Sequence, residues 1–154
     1  MKNGPQTIEM AWKRGCDFLG TKYAIMGGAM SWVSERNLVA AISNAGGFGV
    51  IACGAMTPEL LDAEIKGTQA LTKKPFGVNL ITIKEGGAKT ICFAPILALA
   101  KKLIRTGADA LVIEGMEAGG HIGPVSTSVL AQEILPHITE VPVFVAGGIG
   151  RGEA

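Results

Sequence analysis

Residues 107–123 read GADALVIEGMEAGGHIG, an apolar run that ends in a loop containing four glycines. The run at 110–113 is typical of a buried strand, and the loop follows at its carboxyl end, where α/β folds bind ligands. Glycines let a backbone approach a ligand closely and expose amide N–H groups. This stretch predicts a parallel α/β fold with a ligand site after the strand.

The same unit of strand, glycine turn and helix recurs along the chain. Strands are predicted at 23–26, 48–52, 76–81, 89–93, 110–113 and 141–146. Helices are predicted over 38–42, 57–71, 97–104 and 126–135. Thr57-Pro58-Glu59 opens one of them with an N-cap, a proline and an early acid. Alternating units of this length predict a parallel sheet with crossover helices.

The rhythm breaks at 82–88, where about seven residues separate two predicted strands. Parallel neighbours need a crossover of about a dozen residues or more, so the strands at 76–81 and 89–93 are not expected to pair as parallel neighbours. Six strands are predicted, whereas a closed (β/α) barrel needs eight and typically about 250 residues. Periodicity leaves two alternatives, an open doubly wound sheet or an incomplete barrel.

Composition narrows the class of protein. The chain has 154 residues, of which 48% are hydrophobic and 22 are glycine, and this suits a single domain with a sizeable core. A net charge of +1 gives no reason to expect nucleic acid or an anionic membrane as a partner. The longest uncharged stretch, 37–56, is interrupted by Gly46-Gly47, and the first 20 residues lack the apolar core of a signal peptide. A cytoplasmic protein is therefore expected.

Within 107–123, His121 lies in the glycine loop. Histidine has an ordinary pKa near 6.5, which suits proton transfer, and the alternative is a plain surface turn with an incidental histidine.

Three segments besides 107–123 could also carry chemistry. Gly147-Gly148 follows an apolar run and forms either a phosphate-binding turn or an ordinary tight turn. Asn79 is an amide within an apolar strand, and residues 25–31 form another strand end with glycines. No metal-ligand spacing is present in the sequence.

Five ordered segments together resemble the nitronate monooxygenase family, formerly 2-nitropropane dioxygenases, which includes the FMN-dependent enoyl-ACP reductase II enzymes. They are MGGAMSWVS at 26–34, SNAGGFGVIACG at 43–54, TKKPFGVNL at 72–80, GADALVIEGMEAGGHIG at 107–123 and VPVFVAGGIGRGEA at 141–154. The resemblance covers nearly the whole chain and implies a TIM-barrel type fold that binds FMN at its carboxyl-end mouth.

The resemblance also implies roles for individual residues. His121 matches the family's active-site histidine, which would orient or deprotonate a nitro compound while the flavin carries the redox step. The residues that would contact FMN are Ala29, Met30 and Ser31 at the ring, Asn79 and Glu114 by hydrogen bonds, Gly119 and Gly120 along the cofactor, and Gly147 and Gly148 at the phosphate. Glutamine often stands at the position of Glu114 in the family.

Two departures from the family pattern are expected to matter. One βα unit is missing near 82–88, and the sequence ends before a last strand whose turn helps to hold the phosphate. The chain is therefore expected to be a single FMN-binding domain over 1–154 with about six of eight strands, internally shortened and truncated at its C-terminus. Unclosed strand edges are expected to promote self-association.

Three functions stay open on the sequence. The first is an FMN-dependent oxidoreductase that oxidises alkyl nitronates with O2. The second is an enoyl-ACP reductase that uses NAD(P)H and takes an enoyl thioester from an acyl carrier protein. The third is an inactive remnant of such an enzyme. Flavin content separates the third from the others, and substrate assays separate the first two.

Overall fold

The computed structural model describes residues 4–79, 88–120 and 122–150. Along these residues, helices and strands follow one another, and a 3-10 turn comes after the last helix. The elements are α1 (Gly4–Leu19), α2 (Arg36–Asn44), β1 (Gly49–Ala52), α3 (Pro58–Leu71), β2 (Phe76–Asn79), β3 (Ile91–Phe93), α4 (Leu97–Arg105), β4 (Ala110–Glu114), α5 (Thr127–Ile134), the turn Leu135–His137 and β5 (Val143–Ala146).

Contacts divide the chain into two compact units, Met1–Ile83 and Lys84–Ala154. The boundary falls within the segment near 82–88 that is predicted to be shortened. Most of that segment lies outside the described residues, as does the end of the strand predicted at 76–81. The expectation of a single domain over 1–154 stays a prediction.

The first unit contains a parallel pair of strands. β1 pairs with β2 from Gly49 opposite Phe76 to Ala52 opposite Asn79. The strand predicted at 23–26 is wrong as a strand, because only a single parallel bridge forms, between Met26 and Phe48. Its two hydrogen bonds run from Gly27 N to Phe48 O and from Phe48 N to Ile25 O, each 2.8 Å long. The glycine pair at 27–28 then leads the chain into a loop, so the pairing stops.

The second unit contains a three-stranded parallel sheet in the order β3, β4, β5. The strands at 91–93 and 143–146 each begin two residues later than predicted. β4 is the central strand, and its residues from Ala110 to Ile113 are buried. This burial explains why the apolar run at 110–113 has no polar alternation, as is usual for strands covered on both faces.

The expected separation of the strands on either side of 82–88 is confirmed. β2 pairs with β1, and β3 pairs with β4, so these two strands belong to different sheets. Over the described ranges the strands are parallel, and they form two open sheets with no closed barrel. The α/β class and the parallel arrangement are therefore as predicted.

Local side chains define where the helices begin. Thr57 caps α3 by accepting a hydrogen bond from Leu60 N at 3.3 Å, and Pro58 occupies the first helical position, as predicted. Ser126 caps α5 by accepting from Val129 N. Glu35 caps α2 by accepting from the amides of Asn37 and Leu38, a cap that the sequence prediction did not include.

The helix α1 was not predicted. It buries its last residue, Leu19, and is followed by Gly20, whose φ of +70° favours glycine. The amide of Gly20 donates to Cys16 O at 2.8 Å and closes the last turn. On the exposed side of the helix, Trp12 meets the ring of Tyr23 edge-on at 6.2 Å between centroids.

The core of the second unit lies between its central strand and the helices α4 and α5. Leu111 and Ile113 from β4 meet Leu130 and Ile134 from α5, and all four side chains are at most 1% exposed. Burying a side chain of this size contributes about 1.5–3 kcal/mol. This packing fixes the helix that follows the 115–126 loop against the strand that precedes it. None of the helices in the described part of the chain is long and apolar enough to cross a membrane.

Candidate functional site

In the first unit, Ala29, Met30 and Ser31 lie on an exposed loop after the Met26 bridge. The buried hydroxyl of Ser34 organises this loop, because it donates to Gly28 O at 2.7 Å and accepts from Met30 N at 3.0 Å. These two bonds give the backbone carbonyl of Gly28 and the amide of Met30 hydrogen-bond partners. The three candidate residues are therefore presented to solvent on a turn with a defined backbone.

The next residue in this loop, Trp32, has an unusual conformation. Its φ is +63°, in the left-handed region that bulky residues rarely adopt, and its side chain is 72% exposed. Ser31 and Trp32 line a shallow crevice with Ala52, Ala55 and Met56. The crevice connects the loop to the carboxyl end of β1.

Asn79 is the last residue of β2 and is half-buried, rather than enclosed within an apolar strand as the sequence suggested. It pairs with Ala52, which also lines the crevice beside Ser31. Its main-chain carbonyl accepts a hydrogen bond from the Cys53 thiol. Burial raises the pKa of Cys53, so the thiol keeps the proton that it donates. The first unit thus brings Asn79 and the 29–31 loop to the same end of its strands.

In the second unit, Glu114 ends β4 opposite Ala146, the last residue of β5. The turn that follows β5 contains Gly147 and Gly148, with φ values of +101° and +75°. Successive backbone amides in such a turn can form a concave surface that binds anions. Glu114 and the Gly147-Gly148 turn therefore lie side by side at the carboxyl end of this sheet.

The glycine loop also lies at the carboxyl end of this sheet. A Cβ added to Gly148 would lie 3.4 Å from Glu117 Cβ, whereas one added to Gly119 or Gly120 would meet no atom within 4 Å. The loop therefore contacts the turn at Glu117 and leaves open space at Gly119 and Gly120. His121, the predicted catalytic residue, lies outside the described residues.

A second acid in the glycine loop, Glu117, has a fixed position in the structure. The carboxylate of Glu117 accepts hydrogen bonds from Thr127 N at 2.7 Å and from Thr127 Oγ1 at 2.8 Å. These two donors, the main-chain one first, hold the pKa of Glu117 below its usual range. Glu117 is thus a fixed anion at the first turn of α5.

Sequence reasoning missed Ser34, Cys53, Trp32, Glu117 and Thr127 as residues that shape these loops. Ser34 and Trp32 fall within the segment 26–34 and Glu117 falls within 107–123, so their positions in segments that resemble the family offered a signal. Thr127 had none, because its contacts join segments ten and nineteen residues apart. In the described part of the chain, no three histidine, cysteine, aspartate or glutamate side chains group as metal ligands.

In the second unit, the residues at the strand ends are compatible with a ligand that carries an anionic group. A Cβ added to Gly119 or Gly120 would meet no atom within 4 Å, so the loop leaves room there. The two left-handed glycines after β5 present backbone amides that could bind an anion, and Glu114 ends the neighbouring strand. In the first unit, taken by itself, Gly28 is equally open and Asn79 is a polar residue at the end of β2.

The chain matches the family model described as nitronate monooxygenase over residues 13–91 and 82–154. A curated Mycobacterium tuberculosis relative, (3aS,4S,5R,7aS)-5-hydroxy-7a-methyl-1-oxo-octahydro-1H-indene-4-carboxyl-CoA dehydrogenase, is 33% identical over 175 aligned residues. The alignment covers 90% of this chain and 49% of the relative. The alignment is longer than the 154-residue chain, so it includes residues of the relative that have no counterpart here.

Two solved structures are also similar. FabK from Thermotoga maritima superposes with a TM-score of 0.85 at 35% identity, covering 91% of this chain and 55% of that chain. The nitroalkane oxidase of Streptomyces ansochromogenes shares the fold, with a TM-score of 0.80 at 22% identity over 90% of this chain and 62% of that chain. The chain spans about half the length of the curated relatives it matches. With the family model matched over nearly all of its residues, the chain belongs to the nitronate monooxygenase family of oxidoreductases, as a partial copy.

Proposed function

We propose that the chain binds FMN and acts as an oxidoreductase of the nitronate monooxygenase type, oxidising alkyl nitronates with O2. The observation that supports this best is the meeting of the glycine loop, Glu114 and the Gly147-Gly148 turn at the carboxyl end of the second sheet. Parallel α/β folds bind ligands at this end of their strands. The barrel type proposed here is an incomplete one, with about six of eight strands.

In this proposal, the chain's own residues bind and orient, and bound FMN supplies the electron transfer. Gly147 and Gly148 would hold the phosphate through backbone amides. Gly119 and Gly120 would leave room along the cofactor, and Asn79 and Glu114 would hydrogen-bond to its polar edge. Ala29, Met30 and Ser31 would lie against the ring. His121 would orient the substrate or accept its proton, since an imidazole titrates near neutral pH.

The first test is the flavin itself. We expect the purified chain to be yellow and to release FMN, not FAD, on denaturation, because the sequence offers one phosphate turn and no intact dinucleotide fingerprint. The Gly148→Ala variant should bind FMN about tenfold more weakly, since a side chain strains the left-handed turn and tilts its amides. Fluorescence quenching of added FMN measures the dissociation constant.

Gly107→Ala is the matched control for this test. Gly107 also has a left-handed φ, +99°, but it lies in the turn before β4, at the opposite end of that strand. The backbone strain is comparable, so equal losses of FMN affinity in both variants would argue against a phosphate site at Gly148. Recovery of FAD would contradict the choice of cofactor.

The second test addresses the reaction. We expect His121→Ala to lower turnover of an alkyl nitronate by about 100-fold while FMN affinity changes little, as for a positioned acid–base group. Oxygen consumption measures the rate. His137→Ala is the control, because this exposed residue in the turn Leu135–His137 is the chain's other histidine. An unchanged rate in His121→Ala would reduce His121 to a loop residue.

A second candidate function has support from the relatives. One relative's name is that of a dehydrogenase of a CoA thioester, which favours the alternative that the chain is an FMN-dependent enoyl-ACP reductase II, or a related enzyme, acting on acyl thioesters with NAD(P)H. Oxidation of NAD(P)H on addition of an enoyl thioester, without nitronate-dependent oxygen consumption, would select this alternative.

A chain that binds no flavin would be an inactive remnant. Self-association through open strand edges stays a prediction, measurable by sedimentation.

A further inference from the structure

Thr127, the first residue of α5, hydrogen-bonds to two separate segments of the second unit, the glycine loop and the end of β5. Its backbone amide and hydroxyl both donate to Glu117 in the glycine loop. Its hydroxyl oxygen also lies 3.4 Å from Ala146 O at the end of β5. The hydroxyl has a single proton to donate, and the shorter of the two contacts, 2.8 Å to Glu117, is the stronger hydrogen bond.

Two glycines make room for this side chain. A Cβ on Gly115 would lie within 2.5 Å of Thr127 Cα and still closer to its amide nitrogen and hydroxyl. A Cβ on Gly147 would lie 3.0 Å from Thr127 Oγ1 and 2.8 Å from Ala118 N. The end of β4, the glycine loop and the turn after β5 therefore converge on one threonine.

Two backbone hydrogen bonds also hold the glycine loop in place. Gly115 N donates to Ala146 O at 3.3 Å, and Met116 N donates to Val125 O at 2.9 Å. The Glu117 carboxylate adds charge-assisted bonds, which are about twice as strong as neutral ones. The carboxylate also accepts from the Thr127 amide, which has no acceptor within the helix because it lies in the first turn. Loss of the Glu117 bonds would release the part of the loop that follows Met116.

We propose that Thr127 and Glu117 are positioning residues that lock the glycine loop against the Gly147-Gly148 turn. The lock fixes Gly119 and Gly120 relative to the turn proposed to hold the phosphate. The part of this inference that concerns cofactor binding rests on the proposed function. The part that concerns loop order does not.

The test uses the full 154-residue chain and three variants at two neighbouring positions. Thr127→Val keeps the branched shape and the amide but removes the hydroxyl, and Thr127→Ser keeps both donors. Ser128→Ala removes a hydroxyl from the same helical turn. Hydrogen exchange, read by mass spectrometry on peptides from the 115–126 loop, reports loop order without any cofactor. Fluorescence quenching gives the affinity for added FMN.

We expect Thr127→Val to speed exchange in the 115–126 loop about tenfold, as for loss of one bond to a charged group. Exchange in β4 should stay unchanged, because a general loss of stability would speed both regions. The affinity for FMN should fall about tenfold in the same variant. Thr127→Ser and Ser128→Ala should match the unchanged chain within about twofold in both measurements.

The outcomes separate the two proposals. If the unchanged chain takes up no FMN, the proposed function fails, and the exchange data alone still decide whether Thr127 orders the loop. If Thr127→Val leaves loop exchange unchanged, or if Thr127→Ser behaves like Thr127→Val, the positioning role is overturned. If loop exchange rises in Thr127→Val while FMN affinity stays the same, the lock exists but does not serve the cofactor, and the proposal as stated is overturned.

Discussion

Replacement of Gly49 by alanine is expected to lower the free energy of unfolding of the first unit by about 3 kcal/mol. Gly49 begins β1, and a Cβ there would lie 2.8 Å from Val39 Cα and 2.9 Å from Val39 C, and closer still to its carbonyl oxygen. Val39 is fully buried in α2, so the clash involves rigid backbone and not a flexible side chain. The helix would have to move away from the sheet. Urea denaturation followed by far-UV circular dichroism measures the loss.

Gly28→Ala is the control for this prediction. Gly28 belongs to the same unit, has no positive φ and would place its Cβ more than 4 Å from any other atom. Its midpoint in urea should match that of the unchanged chain. A Gly49→Ala variant with an equally unchanged midpoint would mean that α2 does not lie against β1 as closely as described.

The Glu64→Ala variant is expected to lower the free energy of unfolding by about 2 kcal/mol, because it removes hydrogen bonds to a charged group. Glu64 in α3 is 7% exposed and binds Arg36 twice over, through the backbone amide at 2.8 Å and through the guanidinium. Removing the carboxylate leaves the Arg36 amide at the start of α2 without its acceptor. It also releases the Arg36 side chain, which packs against Gly67 of α3. The same urea experiment measures the change.

Asp62→Ala provides the comparison within the same helix. Asp62 pairs with Lys66 at 2.6 Å, but both side chains are more than half exposed, so loss of this pair should lower the free energy of unfolding by no more than about 0.5 kcal/mol.

Acid should reduce the difference in the free energy of unfolding between Glu64→Ala and the unchanged chain. The hydrogen bond from Arg36 lowers the pKa of Glu64, so its contribution is complete above the ordinary glutamate pKa and is lost as pH falls through the lowered value. A difference that persists in strong acid would contradict this account.

Much of the fold follows from local patterns in the sequence. The strand at 110–113 is found within one residue because a continuous apolar run between turn residues is a strong signal for a covered parallel strand. The start of α3 is found because Thr57-Pro58 fixes a helix N-terminus through local hydrogen bonding and a fixed φ. The loops after β4 and β5 are found because glycines mark where the backbone needs left-handed conformations, as at Gly120, Gly147 and Gly148.

The features that were missed depend on partners distant in sequence. The strand at 23–26 has the composition of a strand, but whether it pairs beyond Met26 is decided by where Phe48 and the glycine pair lead the chain. The helix α1 is an exception, because its stop at Leu19 and Gly20 is a local signal. The bonds from Thr127 to Glu117 and from Arg36 to Glu64 join residues 10 and 28 positions apart. No periodicity predicts such pairs.

The edge-on contact between Trp12 and Tyr23 has a spectroscopic consequence. The chain has a single tyrosine, and its ring lies 6.2 Å from the indole of Trp12. At such a separation, excitation of the phenol passes to the indole by resonance energy transfer, and the tyrosine's own emission falls. If α1 separates from the segment after Gly20, transfer to Trp12 stops and the tyrosine emission rises. Tyrosine fluorescence is therefore an intrinsic probe of whether α1 is packed against the segment that contains Tyr23.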